Sequence, residues 1–377
     1  MIHGGDIYRN EVELDFSVNI NPLGIPDRVR QALIEAVGTC TRYPDIEVQR
    51  LTEAVSNMLG IPENTILFGN GASELFLAVM HTLRPEKVWI PVPSFYGYEY
   101  VAENADCKIQ YFYMKEEQGF TLDETVINEI PSDTDMVFLA NPNNPTGMLL
   151  RQEVLVRILD YCKEQNIYVV LDECFIEFCE EAYFMLSEVN QYENLMIVRA
   201  FTKIFAIPGV RLGYLVSSNE ELMRKIKRHL PEWNISAFAE AAGTACAEET
   251  AFIEQTRTYV SAEREFVVNG LEKMGLAVYP GSANFLMIKD GRPLAKELLK
   301  KGILIRDCSN YRGLSGGYYR IAVRRREENE RLLAALAQVT GSSVVENGKE
   351  DKKPAAVPDG IEYVMPQEIE KRSFSII

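Results

Sequence analysis

Short apolar runs alternate with amphipathic stretches along most of this chain. Five runs, at 88–93, 136–140, 167–171, 195–198 and 212–216, are nearly free of polar residues, which is the pattern of strands buried on both faces. Helical spacing fills the gaps between some of them, as at 151–165. The rhythm predicts an α/β fold with a largely parallel sheet. A polar helix at 220–230 and long helical patterns over 237–274 follow, leading into a second strand set at 285–288, 303–306 and 318–323. That set predicts a smaller α/β lobe. The expected division is an N-terminal segment, 1–39, packing with the small domain, a large domain over 40–235 and the small C-terminal domain over 236–340. Past Gly341 the texture changes: 346–356 is rich in charge and proline and reads as a linker. Residues 361–377 regain hydrophobicity but are too few to fold alone.

With 377 residues, 47% of them hydrophobic, the chain can bury a large core and form two lobes around a shared site. The formal net charge of -16 disfavours nucleic acid and anionic membrane as partners, because both require a basic face. Any anionic ligand must then be held by a few local arginines. No segment approaches the roughly 18 apolar residues of a membrane span, and no signal-peptide core is present, so a cytoplasmic place is expected. The seven cysteines are scattered without a CxxC pair, and there are only three histidines. Neither a disulfide framework nor a metal site is suggested, and a Ser/His triad has few possible partners.

Candidate chemistry gathers at the predicted strand ends, where ligands of open α/β sheets collect. Lys203 follows the run at 195–198, and a desolvated lysine there has a lowered pKa and becomes a nucleophile able to form a Schiff base. Asp172 closes the run at 167–171. A carboxylate there can keep a pyridine nitrogen protonated, which makes the ring the electron sink of pyridoxal phosphate chemistry; a helix cap or ion pair is the plain alternative. Asn141-Pro-Asn-Asn-Pro-Thr-Gly147 demands a rigid turn, from which Asn144 can donate to a phenolic oxygen. In Gly69-Asn-Gly-Ala-Ser-Glu74, the backbone N–H groups of Gly71, Ala72 and Ser73 would open a helix and bind phosphate, unless Ser73 or Asn70 merely caps it. Arg211 and Thr202 can join the same phosphate, and Phe95 can cover a planar ring, though it reads equally as core. Arg320, in the run at 318–323, can grip a carboxylate or sit in a structural ion pair.

With these motifs in this order, the chain resembles the fold-type I pyridoxal-phosphate enzymes of the aminotransferase class I and II family, over about residues 3–340. The resemblance implies that 40–235 is the cofactor-binding domain. It makes Lys203 the Schiff-base lysine, Asp172 the pyridinium partner, Asn144 the ligand of the ring hydroxyl, Arg211 and Thr202 phosphate ligands and Phe95 the stacking ring. Tyr43, in Arg42-Tyr-Pro-Asp45, resembles the tyrosine that reaches the phosphate of the neighbouring subunit, implying a homodimer with shared sites.

Three further stretches, His3-Gly-Gly5, 15–24 and 303–314, are similar to the threonine-phosphate decarboxylases of cobalamin biosynthesis. That similarity places His3, Gly4, Asn19, Asn144, Arg306 and Arg320 around a phosphorylated amino-acid substrate and implies decarboxylation of O-phospho-L-threonine. The alternatives are a histidinol-phosphate aminotransferase and a catalytically silent binding protein. Residues 361–377 resemble the opening of precorrin-8X methylmutase, which implies a fusion to a second cobalamin-pathway enzyme. Two positions depart from the family pattern. Ala200 stands where a hydroxyl usually meets the cofactor phosphate, a loss of about 1 kcal/mol. Phe175 stands where many aminotransferases carry tyrosine, a change the decarboxylase-like subgroup shares.

Overall fold

The computed structural model describes residues 4–180 and 182–342, so His3 and the 361–377 stretch lie outside the described residues. After a two-residue strand, β1 (Leu14–Asp15), the chain builds a seven-stranded sheet from β2 (Ile66–Gly69), β3 (Lys87–Val92), β4 (Lys108–Tyr113), β5 (Met136–Ala140), β6 (Tyr168–Asp172), β7 (Leu195–Ala200) and β8 (Gly213–Val216). Their order is β2-β8-β7-β6-β5-β3-β4. The sheet is parallel except for β8, which runs antiparallel to both neighbours.

The five apolar runs account for β3, β5, β6, β7 and β8. Val137, Phe138, Val170, Leu171, Ile197 and Val198 are fully buried because helices cover both faces of the central strands. Two strands escaped the pattern. β4 lies at the sheet edge, where Lys108 and Tyr113 are exposed and the apolar signal fades; β2 is a four-residue strand at the other edge.

The smaller sheet is antiparallel. Its order is β12-β13-β10-β9, from β9 (Ala277–Tyr279), β10 (Phe285–Lys289), β12 (Arg306–Asp307) and β13 (Tyr318–Ala322). The run at 303–306 is two strands rather than one, because the chain changes partners at Ile305. β11 (Ile303–Leu304) pairs with β1, while Arg306 and Asp307 pair with Arg320 and Tyr319. The 237–274 pattern is likewise two helices, Ala237–Ala247 and Thr250–Lys273. A second core of Leu271, Leu286, Ile288, Ile321, Leu332 and Leu336 lies under the smaller sheet.

The N-terminal segment is tied to later parts of the chain: β1 pairs with β11 in a separate two-stranded sheet, and the helix Asp27–Ala36 packs on the helix Ala237–Ala247. That second helix approaches the core at Gly243, where an added Cβ would lie 2.4 Å from Leu212 Cδ2 and 2.6 Å from Leu51 Cδ1. Gly243→Ala should therefore overpack the core and cost about 1–3 kcal/mol, lowering the melting temperature by several degrees. An unchanged melting curve would mean that Leu51 and Leu212 give way freely.

Candidate active site

All the parallel strands end at the same edge of the sheet, and the turns beyond five of them supply the candidate chemistry. Ala72 and Ser73 follow β2, Phe95 follows β3 and Asn144 follows β5; Asp172 ends β6, and Thr202 and Lys203 follow β7. Together with Arg211, Asn19, Gly4, Arg306 and Arg320 these residues line one cleft of about 460 Å³.

Lys203 sits on a single helical turn, Phe201–Ile204, directly after β7. Asn21 fixes that turn. Its backbone N–H donates to the Lys203 carbonyl at 3.1 Å, and its Nδ2 donates to the Ile204 carbonyl at 2.6 Å and to Thr256 Oγ1 at 2.8 Å. Burial, helped by the nearby charge of Arg320, lowers the Lys203 pKa to about 8. The amine is thus a usable nucleophile near neutrality.

Asp172 has partners on both oxygens. The Tyr98 hydroxyl donates to Oδ2 at 2.6 Å and the Cys174 N–H donates to Oδ1 at 2.9 Å. Burial raises its pKa, against the pull of those hydrogen bonds and of Lys203. A cationic ring nitrogen beside it would favour the charged carboxylate. Tyr98 was not singled out from sequence, yet it links Asp172 to the candidate stacking ring: its own ring meets Phe95 edge-on at 5.7 Å and stacks on Phe138 at 5.1 Å. Its only sequence signal is its place three residues after Phe95.

The candidate phosphate cradle forms at the helix Ala72–Leu83, whose N-cap is Gly71 at φ 75. No side chain caps this helix, so neither Ser73 nor Asn70 takes that part, and its first N–H groups are not occupied by a cap. Gly71 does not line the cleft, but glycine is required there: a Cβ would lie 2.3 Å from Arg211 Nη2. Gly213 serves similarly, since a Cβ on it would come within 2.8 Å of the Ala72 nitrogen. Open helix amides and a guanidinium pressed against the Gly71 backbone, with Asp172, Lys203 and Phe95 lining the same cleft, fit the phosphate, ring and aldehyde of pyridoxal 5'-phosphate. Ala200 and Phe175 line this end too, and Phe175 packs edge-on against Phe285 at 5.1 Å.

At the other end, Arg320 is 6% exposed and its partners are neutral oxygens. Nη2 donates to the Ser17 carbonyl at 2.8 Å and Nη1 to Asn144 Oδ1 at 2.5 Å. Asn19 Oδ1, with its amide oriented to satisfy both atoms, accepts from Nη1 and Nε at 3.3 and 3.2 Å. Among the described residues no carboxylate forms an ion pair with Arg320, so the plain structural reading of this arginine does not hold. Arg306 is equally buried and donates to the Asp307 carbonyl and to Asn310 Oδ1. Gly4 lies against Ser17, where a Cβ would come within 2.4 Å of the carbonyl oxygen. Tyr43 does not line the cleft; it is 78% exposed and packs against Trp233 at 4.9 Å.

Residues 11–336 match the model of the family described as aminotransferase class I and II. The chain belongs to this family. Its members use pyridoxal 5'-phosphate, the group the cleft fits. The chain is 38% identical to the threonine-phosphate decarboxylase of Salmonella typhimurium, over 86% of this chain and 91% of that one. It is 33% identical to an adenosylcobalamin biosynthesis bifunctional protein of Leptospira interrogans, over 86% of this chain and 38% of the longer protein. Among solved structures, the histidinol-phosphate aminotransferase of Clostridium acetobutylicum superposes with a TM-score of 0.82 at 35% identity, covering 87% of this chain and 99% of that one.

The lowered lysine pKa has a measurable consequence. In cofactor-free protein the rate of reaction with pyridoxal 5'-phosphate, followed by absorbance, should rise with pH and level off above about 8. A flat profile between about pH 6.5 and 9.5 would place the amine's titration elsewhere. The folded protein holds this proton less tightly than the ordinary 10.5. The group's cost to stability is therefore full below about pH 8 and fades as pH rises toward 10.5.

Proposed function

We propose that this protein decarboxylates O-phospho-L-threonine to (R)-1-aminopropan-2-yl phosphate in cobalamin biosynthesis. The observation that carries the reading is the pair of buried arginines, Arg306 and Arg320, at one end of the cleft, with Arg320 meeting only neutral oxygens among the described residues. A buried cation that meets only neutral oxygens, as Arg320 does, is costly until an anion arrives, and a substrate bearing both a carboxylate and a phosphate supplies that anion and a second that Arg306 can also contact. Similarity to decarboxylases of threonine phosphate supports the same substrate.

When bound, pyridoxal 5'-phosphate supplies an electron sink for the pair left by a broken Cα bond. The chain's residues decide which bond that is. Asp172, braced by Tyr98 and Cys174, holds a proton at the ring nitrogen. Phe95 covers the ring, and Asn144, whose Oδ1 already accepts from Arg320, has Nδ2 to donate to the ring hydroxyl. The two arginines, with Gly4 and Asn19 beside them, would hold the substrate's two anionic groups so that the bond from Cα to its carboxylate is the one that breaks and CO2 leaves. The Lys203 amine lies in the same cleft to return a proton to Cα.

Three finer parts belong to this reading. Tyr43 faces outward near the exposed apolar side chains Ile46 and Trp233, which supports a homodimer in which it reaches the partner's cofactor phosphate; a one-chain molar mass in solution would refute this. All seven cysteines are free, which suits the cytoplasm; a disulfide in protein isolated from its source would count against it. The methylmutase-like stretch and the bifunctional relative support a fusion, which the genomic reading frame past Ile377 decides.

The second reading, a histidinol-phosphate aminotransferase, is favoured by the solved structure of that name at 35% identity. One incubation separates the two. Cofactor-loaded protein given O-phospho-L-threonine without any keto acid should release CO2 and the amine phosphate over many turnovers. Lys203→Ala should abolish turnover, which would also dispose of a silent binding protein. Turnover of histidinol phosphate only once 2-oxoglutarate is added would move the protein to the aminotransferases.

A further inference from the structure

We propose that Tyr311 determines specificity in this cleft: it is a wall that keeps Arg306 and Arg320 apart, and Arg312, Glu99 and Tyr111 set its position from outside. The proposal rests on the decarboxylase reading only for the choice of phosphorylated amino acid.

Tyr311 touches both cationic centres. Its hydroxyl lies 3.4 Å from Asn144 Oδ1 and 3.5 Å from Arg320 Nη1, while the Arg306 guanidinium sits over its ring at 5.2 Å. One arginine therefore meets the hydroxyl edge of the ring and the other its face. Removing the ring would let two like charges share one space, and a single anion could then neutralise both. With the ring present, each guanidinium has its own side of the wall. A ligand that touches both must then carry two anionic groups a short chain apart, which is the chemistry of a phosphorylated α-amino acid.

The wall does not stand by itself, because it lies on a surface loop between β12 and β13. Local hydrogen bonds, Tyr311 N–H to the Cys308 carbonyl and Leu314 N–H to the Tyr311 carbonyl, both at 3.0 Å, fold that loop. The next residue leaves the cleft and clamps the loop to the larger-sheet side. Arg312 pairs with Glu99, and its guanidinium lies over the Tyr111 ring at 4.2 Å. Tyr111 in turn donates its hydroxyl to Glu99 Oε1 at 2.8 Å. Glu99 stands on the helix Tyr96–Asn104 that begins just after Phe95 and carries Tyr98. The element that orients the candidate cofactor face thus also holds the wall of the substrate end. Tyr311 is assigned a substrate-contacting role; Glu99, Arg312 and Tyr111 act through it as positioning residues.

The test uses cofactor-loaded wild type, Tyr311→Phe, Tyr311→Leu and Glu99→Gln. Inorganic phosphate is titrated into each by calorimetry, and KM and kcat are measured with O-phospho-L-threonine. Tyr311→Leu, which removes the wall, should let one phosphate meet both arginines and bind about tenfold tighter, while KM for O-phospho-L-threonine rises more than kcat falls, with the cofactor absorbance unchanged. Tyr311→Phe, which keeps the ring and is the safer variant for folding, should leave phosphate affinity within about twofold of wild type and raise KM about two- to fivefold. Glu99→Gln should raise KM similarly without altering cofactor retention. No phosphate binding to wild type, or no tighter binding in Tyr311→Leu, would overturn the wall; an unaltered Glu99→Gln protein would overturn its positioning. If wild type releases no CO2 while phosphate affinity still depends on Tyr311, the decarboxylase reading fails and this one stands.

Discussion

A guanidinium buried among neutral oxygens is the constraint on which the cleft depends. Arg320 draws on Ser17 in the N-terminal segment and Asn144 in the turn beyond β5, with Asn19 beside it, while standing on β13 of the smaller sheet. Three separate parts of the chain are brought to one charge. Most buried cations are paired with carboxylates; among the described residues this one meets only neutral oxygens. Its charge is also felt at Lys203, where it adds to desolvation in loosening the amine's proton. An anion held at Arg320 would therefore also be felt at the Lys203 amine.

The opposite end of the cleft is built on backbone rather than charge. Gly71 and Gly213 remove side chains where Arg211 and β8 approach the helix start at Ala72, and the uncapped amides there need no side-chain assistance. Between the two ends, the Asp172 carboxylate is held by a phenol and an amide, so its orientation is settled before any ring arrives. Preorganisation of this kind is what an electron-sink site requires.

Much of this was legible in the amino-acid sequence because of burial. Strands covered on both faces write unbroken apolar runs, and the rule that ligands gather at strand ends turned those runs into a short set of candidates, from Asn144 to Lys203. What stayed hidden depends on three-dimensional neighbours. β4 lies half-buried at the sheet edge, the split of 303–306 reflects a change of strand partner, and Tyr98, Asn21 and Tyr311 take their places from residues far along the chain. A site role for Tyr43 rests on family resemblance alone, since among the described residues nothing brings it to the cleft.

Asn21 also carries a message about the order of assembly. It ties the Lys203 turn to Thr256, so residues 235 positions apart must meet before the lysine is held, and Arg320 reaches Ser17 across 303 positions. Contacts of such span form late, because the chain between them must first be ordered. During synthesis the central strands can collapse early, but the lysine is locked only after the helix Thr250–Lys273 has emerged, and the anion site only after β13. The nascent chain therefore completes its reactive centre only when the fold that shields it is already in place.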